Sequence, residues 1–516
     1  MLPERSTTGV FFFILCQIMI KTTWALSLQQ LPLLKDDSTC SKSKTCRIGC
    51  CGPIDSTGIG YCGFGPDYCG SRCTSTCDRK SECDAGWGKE WANFSTCPLN
   101  EPRKTFAATN VSYRPSVVGT ARGQRPLDTT NPGTLSEDFA DVEPKDILLG
   151  IYSHLNFAFA LIDPKTFRIT PMTEATAKRY RELTQLKVKQ AGLEVYIAIG
   201  GWDFNDPGPT RTTFSDLAGS LTAQDTFFDS LVSFMLHNDF DGVDLDWEYP
   251  VADDRGGRPA DLANYVTLVK RLRERLDQLP KRHGLTLTLP ASYWYLQGFD
   301  IVGLEPYVDW FNIMTYDIHG LWDAHGKEIG PHAYAHTNLT EINMGLELLW
   351  RNNINPSRVV MGLGFYGRSF TMVDPNCLKP GCRFKAHEAP AGECTNIPGV
   401  ISATEIHKIV QKGGATVTFY EDAAVKVVTW NQNHWVSWDD ADTLKLKIDF
   451  ANRRCLGGTM IWAVDLDDGT LVEALGKAMD KKKGWIGDGK YKPMPCFGRS
   501  WPKGSNKTWI GRGKKA

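Results

Sequence analysis

Net charge is what this chain lacks most plainly. Its 516 residues carry 58 Lys and Arg against 59 Asp and Glu, a formal balance of -1, so no global field draws it to nucleic acid or to an anionic membrane. Long apolar runs are also scarce. The stretch "VFFFILCQIMI", which follows Arg5, is too short to cross a bilayer comfortably, and no later run is longer and as apolar. With Thr23 and Ala25 placed as a small-residue cleavage site, residues 1–25 read as a signal peptide and the mature chain as secreted, extracellular and not membrane-bound. Paired C-x-x-C spacing is missing as well. Ten of the 16 cysteines fall between Cys40 and Cys97, two of them adjacent at Cys50 and Cys51. That arrangement argues against a zinc cluster and for disulfides in an oxidising compartment.

The segment from Cys40 onward is rich in Gly, Pro and Ser and has almost no aliphatic core, so crosslinks must hold it. Its adjacent cysteines, "YCG" and "PDYCG" resemble a hevein-type chitin-binding module over residues 40–83. The resemblance implies that Tyr61 and Tyr68, with Phe64 as a further ring, grip N-acetylglucosamine. Ile59 stands where that family commonly has an aromatic, and the loop after Cys51 is longer.

After a linker at 84–145 the texture changes. Apolar runs of strand length alternate with amphipathic helical stretches such as "EATAKRYRELTQLKVKQAG", as in parallel βα units. Seven such strands follow Ile147, and an eighth before them would close a (β/α)8 TIM barrel over 146–480. The strand assigned to that place is "SVVGT", Ser116–Thr120. Between "GFYGRSF" and "GGTMIWAV" the connection is longer than a βα loop needs, which predicts an inserted α+β subdomain at about 371–430, forming one wall of a cleft. The basic, Gly-rich tail 481–516 has no periodicity and reads as disordered.

One stretch carries chemistry: "DGVDLDWEYP", Asp241–Pro250. Val243, Leu245 and Trp247 alternate with acids at the period of a strand, which puts Asp244, Asp246 and Glu248 on one face. Carboxylates so crowded repel, and burial raises their pKa values, so at least one should hold a proton near neutral pH and serve acid catalysis. A calcium site is the competing account, but a strand is the wrong scaffold for the helix-loop-helix calcium motif.

Together with "GGW" upstream and "M-x-Y-D" downstream, the run resembles glycoside hydrolase family 18, the chitinases, and "GFYGRSF" and "WAVDLDD" resemble its fungal killer-toxin-like branch. The resemblance implies a retaining, substrate-assisted hydrolase of β-1,4-N-acetylglucosamine linkages, acting on chitin and its oligomers without cofactor or metal. By position, Glu248 would be the proton donor, Asp246 would share a proton with Asp244, and Tyr316 and Asp317 would help Asp246 orient the acetamido group. Asp241 would build the strand. Trp462 would floor the cleaved subsite, and Trp202, Tyr249, Phe159, Met314, Tyr366 and Arg368 would line the groove. The alternative is a lectin on a dead barrel, whose relatives lack the terminal acid that Glu248 supplies here. An N-glycan endoglycosidase shares the signature but not the chitin-binding module. His319 and His434 show no partner pattern and read as surface or core.

Overall fold

The computed structural model describes residues 144–479 apart from 327 and 328, the strand Ala108–Tyr113, and parts of 39–75. The chain divides into two compact units, residues 1–80 and 81–516. The expected leader 1–25 and tail 481–516 lie outside the described residues.

In the first unit, three short antiparallel strands, Thr39–Cys40, Gly60–Gly63 and Cys50–Cys51, pair with Gly60–Gly63 in the middle. A Cys40–Cys51 disulfide joins the outer two. Both of those half-cystines are buried, which suits a small unit with little apolar core. Tyr61 lies on the central strand opposite Thr39; Phe64 and Tyr68 lie outside the described residues.

The second unit is a closed barrel of eight parallel strands: β1 Ala108–Tyr113, β2 His154–Ile162, β3 Glu194–Gly200, β4 Gly242–Asp246, β5 Gly284–Pro290, β6 Trp310–Met314, β7 Val359–Gly364 and β8 Gly458–Trp462. Each pairs with the next, and β1 closes the ring against both β8 and β2. The eighth strand is therefore Ala108–Tyr113 and not Ser116–Thr120. It ends in an aromatic, Tyr113, in register with Phe157.

The alternation in β4 works as the sequence suggests. Trp247, just beyond the strand, is fully buried against Phe214 and Tyr265, the latter on the helix Asp261–Leu276. That helix presents Tyr265, Leu268, Val269, Leu272 and Leu276 to the core at helical spacing. Gly242 and Gly284, neighbours across β4 and β5, leave room for the Tyr196 ring, which an added Cβ at either position would meet within 2.6 Å.

The insertion is larger than expected and starts earlier. What reads as one strand through "RVVMGLGFYG" breaks at Phe365, and Tyr366–Thr371 leaves the barrel to enter a five-stranded antiparallel sheet that ends at His434–Trp438. Its core holds Phe370, Met372, Phe384, Val427 and Trp435, with the Cys377–Cys382 disulfide at its margin. No helix among the described residues is long and apolar enough to cross a membrane.

Candidate active site

Parallel strands deliver their C-terminal ends to one mouth of the barrel, so residues at those ends meet although they are far apart in sequence. Asp246 ends β4, and Glu248 follows two residues later. Both are buried, as is Asp244. Asp241, at the other end of the strand, is bound by Lys281 at 2.6 Å and Lys187 at 3.0 Å and accepts from the Val195 amide, which agrees with a structural role.

The three acids differ in what surrounds them. Asp244 accepts from Thr286 Oγ1 at 2.5 Å, Thr288 Oγ1 at 2.8 Å and Asn312 Nδ2 at 2.9 Å. Burial lifts its pKa, and those three donors hold the rise back. Asp246 Oδ1 is buried with no hydrogen-bond partner among the described residues. Burial first, then the charges of Glu248 and Asp244, push Asp246 well above the carboxylate range. Glu248 is raised by burial to about 7, against the opposing pull of Tyr249 and Arg255. Of the Asp pair, Asp244 is the better place for the charge and Asp246 for the proton, because hydrogen bonds to a carboxylate favour its ionised form.

The glycine corner after β3 makes room for this. Gly201 donates its amide to Asp246 O at 2.9 Å. Gly200 and Gly201 have φ of 109° and 85°; a Cβ on Gly200 would lie 2.2 Å from Asp246 O, and one on Gly201 2.7 Å from the Phe159 ring. Only glycine fits either position.

A second cluster stands across the mouth. Tyr316 and Asp317 follow β6, with Asp317 held at φ 57°. Asp317 accepts from Tyr366 Oη at 2.6 Å and pairs with Arg368 through Nε at 2.7 Å and Nη2 at 2.5 Å. Burial alone would raise the Asp317 pKa, but the Arg368 guanidinium, with His336 beside it, more than offsets this and keeps the carboxylate ionised. The inserted sheet supplies both partners. Tyr316 Oη donates to Met460 Sδ at 3.8 Å, and after burial the charge of Asp246 is what most raises its pKa.

Aromatic rings complete the mouth. Phe159 and Trp462 stack with centroids 5.7 Å apart, both half-buried. Trp202 is 48% exposed and meets Tyr249 edge-on at 6.4 Å. Met314 ends β6 half-buried. The structure thus gathers Asp244, Asp246, Glu248 and Tyr249 in one group, Tyr316, Asp317, Tyr366 and Arg368 in another, and Phe159 with Trp462 beside them.

Sequence reasoning missed several supporting residues. His336 is fully buried, its pKa lowered by that burial; Nδ1 accepts from the Asp317 amide at 3.4 Å, and Nε2 reaches Tyr366 O at 3.1 Å. Arg255 donates to the Glu248 carbonyl at 3.0 Å. Thr286 and Thr288 did leave a signal, since two hydroxyls two apart in "LTLTLP" mark a polar inner face. His319 is neither surface nor ordinary core. Asp323 at 2.9 Å and Glu341 at 2.8 Å bracket it, and although burial lowers its pKa these partners lift it to about 9.

The glycosyl hydrolases family 18 model matches residues 129–467. The probable chitinase LysM11 of Penicillium expansum is 31% identical over 375 residues, covering 68% of this chain and 32% of that protein. The killer toxin subunits alpha/beta of Kluyveromyces lactis are 30% identical over 420 residues, covering 79% and 32%. The chain spans about a third of the length of these two relatives. Catalytic domain 2 of the Ostrinia furnacalis group II chitinase, solved with penta-N-acetylchitooctaose, (NAG)5, has 27% identity and a TM-score of 0.59, covering 66% of this chain and 92% of that one. The family model extends over seven of the barrel's strand ends, among them the acid run, the Gly-Gly corner and the Tyr316–Asp317 pair, and on that match the chain belongs to glycosyl hydrolases family 18.

Proposed function

We propose that the chain is a secreted chitinase that cleaves β-1,4 linkages between N-acetylglucosamine units with retention, using the substrate's own acetamido group as nucleophile. The observation that carries this reading is the graded acid series on β4. Asp244 has three donors, Asp246 has a buried oxygen with no hydrogen-bond partner among the described residues, and the Glu248 carboxyl is pushed up to about 7. A carboxyl that is half protonated at neutral pH can give its proton to a leaving oxygen and later take one from water.

In the first step Glu248 protonates the glycosidic oxygen while the carbonyl oxygen of the acetamido group attacks the anomeric carbon, and the bond to the leaving sugar breaks. The positive charge on the resulting ring is met by the negative charge that Asp244 and Asp246 share, while Asp317 helps to orient the acetamido group. Asp246 holds the acetamido N–H, with Tyr316 beside it. Glu248, now ionised, then takes a proton from water, which attacks the anomeric carbon as the bond from that carbon to the acetamido oxygen breaks, so the free acetamido group and the original configuration are both restored. Stacked Phe159 and Trp462 offer the sugar its apolar floor.

Support for chitin as substrate comes from the relatives named chitinases and from the neighbour solved with a chitin oligosaccharide. Residues 40–83, with Tyr61, Phe64 and Tyr68, would tether the enzyme to solid chitin. The test follows the anomers released from N-acetylated chitooligosaccharides by NMR. Newly formed β-anomer is expected; α-anomer as the first product would overturn retention, and no cleavage at all would overturn the activity.

A further inference from the structure

We infer that Arg255 is a positioning residue for this reaction, tying the main chain of the proton donor to the exposed indole of Trp202. The inference rests on reading Glu248 as the donor and Trp202 as a sugar-stacking ring. Arg255 is buried and lies in the loop after β4, and its guanidinium meets three residues on two chain segments. Nε donates to the Glu248 carbonyl at 3.0 Å, Nη2 donates to the Trp202 carbonyl, and Nη1 pairs with Asp206 at 2.7 Å. The guanidinium carbon also stands 3.6 Å from the centroid of the Trp202 ring. One face of that indole is therefore covered by a cation, which fixes its rotamer and leaves a sugar the other face.

The loop that carries Arg255 is itself tightly held. Arg211 Nη2 donates to the carbonyls of Asp253 and Asp254, Tyr295 Oη donates to Asp254 at 2.8 Å, and Asn205 Nδ2 reaches the Arg255 carbonyl. Tyr295 in turn stacks on Tyr249 at 4.2 Å, next to Glu248. A planar fork with several fixed acceptors and a stacking face suits arginine and not lysine.

The electrostatics separate positioning from simple structural support. The groups acting on Glu248 are Asp246 on β4, neighbouring Tyr249, Asp203 after β3, Tyr295 after β5, Tyr316 and Asp317 after β6, and Arg255, which is the cation among them. Loss of that cation makes Glu248 hold its proton to higher pH.

The experiment uses the full chain and soluble N-acetylated chitotetraose. Arg255→Met is expected to lower kcat by about ten- to a hundredfold, as a displaced acid does, to raise KM several-fold, and to move the basic limb of kcat/KM to higher pH. Arg255→Lys is expected to keep the limb at its wild-type position, because the charge remains, without restoring kcat. In a Glu248→Gln background, Arg255→Met should weaken tetraose binding in calorimetry. A variant that lowers only the melting temperature, with KM and pH limb unmoved, overturns the inference. If Arg255→Met does not fold, Arg255→Lys decides alone: wild-type kcat and KM in that variant overturn it. An inactive wild type would instead defeat the parent reading and is recognised before any variant is compared.

Discussion

Replacing Glu248 by Gln keeps the shape of the side chain and removes its ionisation, so it separates the group's chemical use from its cost to the fold. Burial is the main reason the carboxyl rises from 4.5 to about 7. Below the unfolded value both states hold the proton, and the wild type retains its full stability. As pH rises beyond it the unfolded chain releases the proton while the folded chain keeps it, so stability falls until the folded value is passed. The two values, 4.5 and about 7, differ by about 2.5, and at about 1.4 kcal/mol per unit the loss is on the order of 3 kcal/mol. Gln escapes it. Glu248→Gln should therefore match the wild type near pH 4 and exceed it by about 3 kcal/mol near pH 8.5. For a unit of roughly 340 residues this is about 4 °C in melting temperature. Thermal unfolding of both proteins at about pH 4, 6 and 8.5 measures the difference. Turnover of chitooligosaccharides should meanwhile drop by about 10²- to 10⁴-fold. A variant less stable than wild type at high pH, or a gap that does not widen with pH, would refute the assignment of the raised pKa to burial. Undiminished turnover would remove Glu248 from the chemistry.

Asp317→Asn leaves Arg368 facing an amide, and because Asp317 is 35% exposed the loss is discounted to about 1–2 kcal/mol at pH 7. Asp317 has a lowered pKa despite burial, mainly through Arg368, so its contribution is present above the unfolded carboxylate value and lost only as pH falls through the folded one; urea titrations at pH 7 and in strong acid should show the gap closing. Gly201→Ala places a Cβ at 2.7 Å from the Phe159 ring with φ at 85°, and should cost about 1–3 kcal/mol and raise KM by shifting Phe159 off Trp462; an unchanged KM would mean that this stack does not hold sugar. Deleting residues 40–83 should lower hydrolysis of solid chitin and leave a soluble trimer untouched, since tethering acts only where a second site exists on the same surface. An equal loss on the trimer would assign that unit another task.

What could be read in advance followed from periodicity. Asp244, Asp246 and Glu248 announced themselves because their neighbours Val243, Leu245 and Trp247 had to be buried, and a strand leaves no other face for the acids. The first strand could not be found this way. "ATNVSY" is short and mostly polar, whereas "SVVGT" has the better apolar pair, and hydrophobicity favoured the wrong stretch. Its place is fixed instead by backbone pairing on both sides, Trp462 with Ser112 and Tyr113 with Phe157, which propensity does not encode.

The same reasoning explains why the acids were legible and most of their supporters were not. A carboxylate inside a strand is costly unless something compensates, so its presence signals function by itself. The compensating groups are ordinary residues: Thr286 and Thr288 on β5, Asn312 on β6, Arg255 in a loop, and His336 beyond β6. Each becomes significant only when barrel closure brings its strand end beside another, and no local pattern carries that adjacency. His319 makes the point most simply, for its partners lie four and 22 residues away on separate elements. Between them they hold its pKa at about 9 against burial, so the ring stays charged at neutral pH. In this barrel the buried acids are written in one short stretch, Asp244 to Glu248, and the groups that set their protonation are distributed over the elements around it.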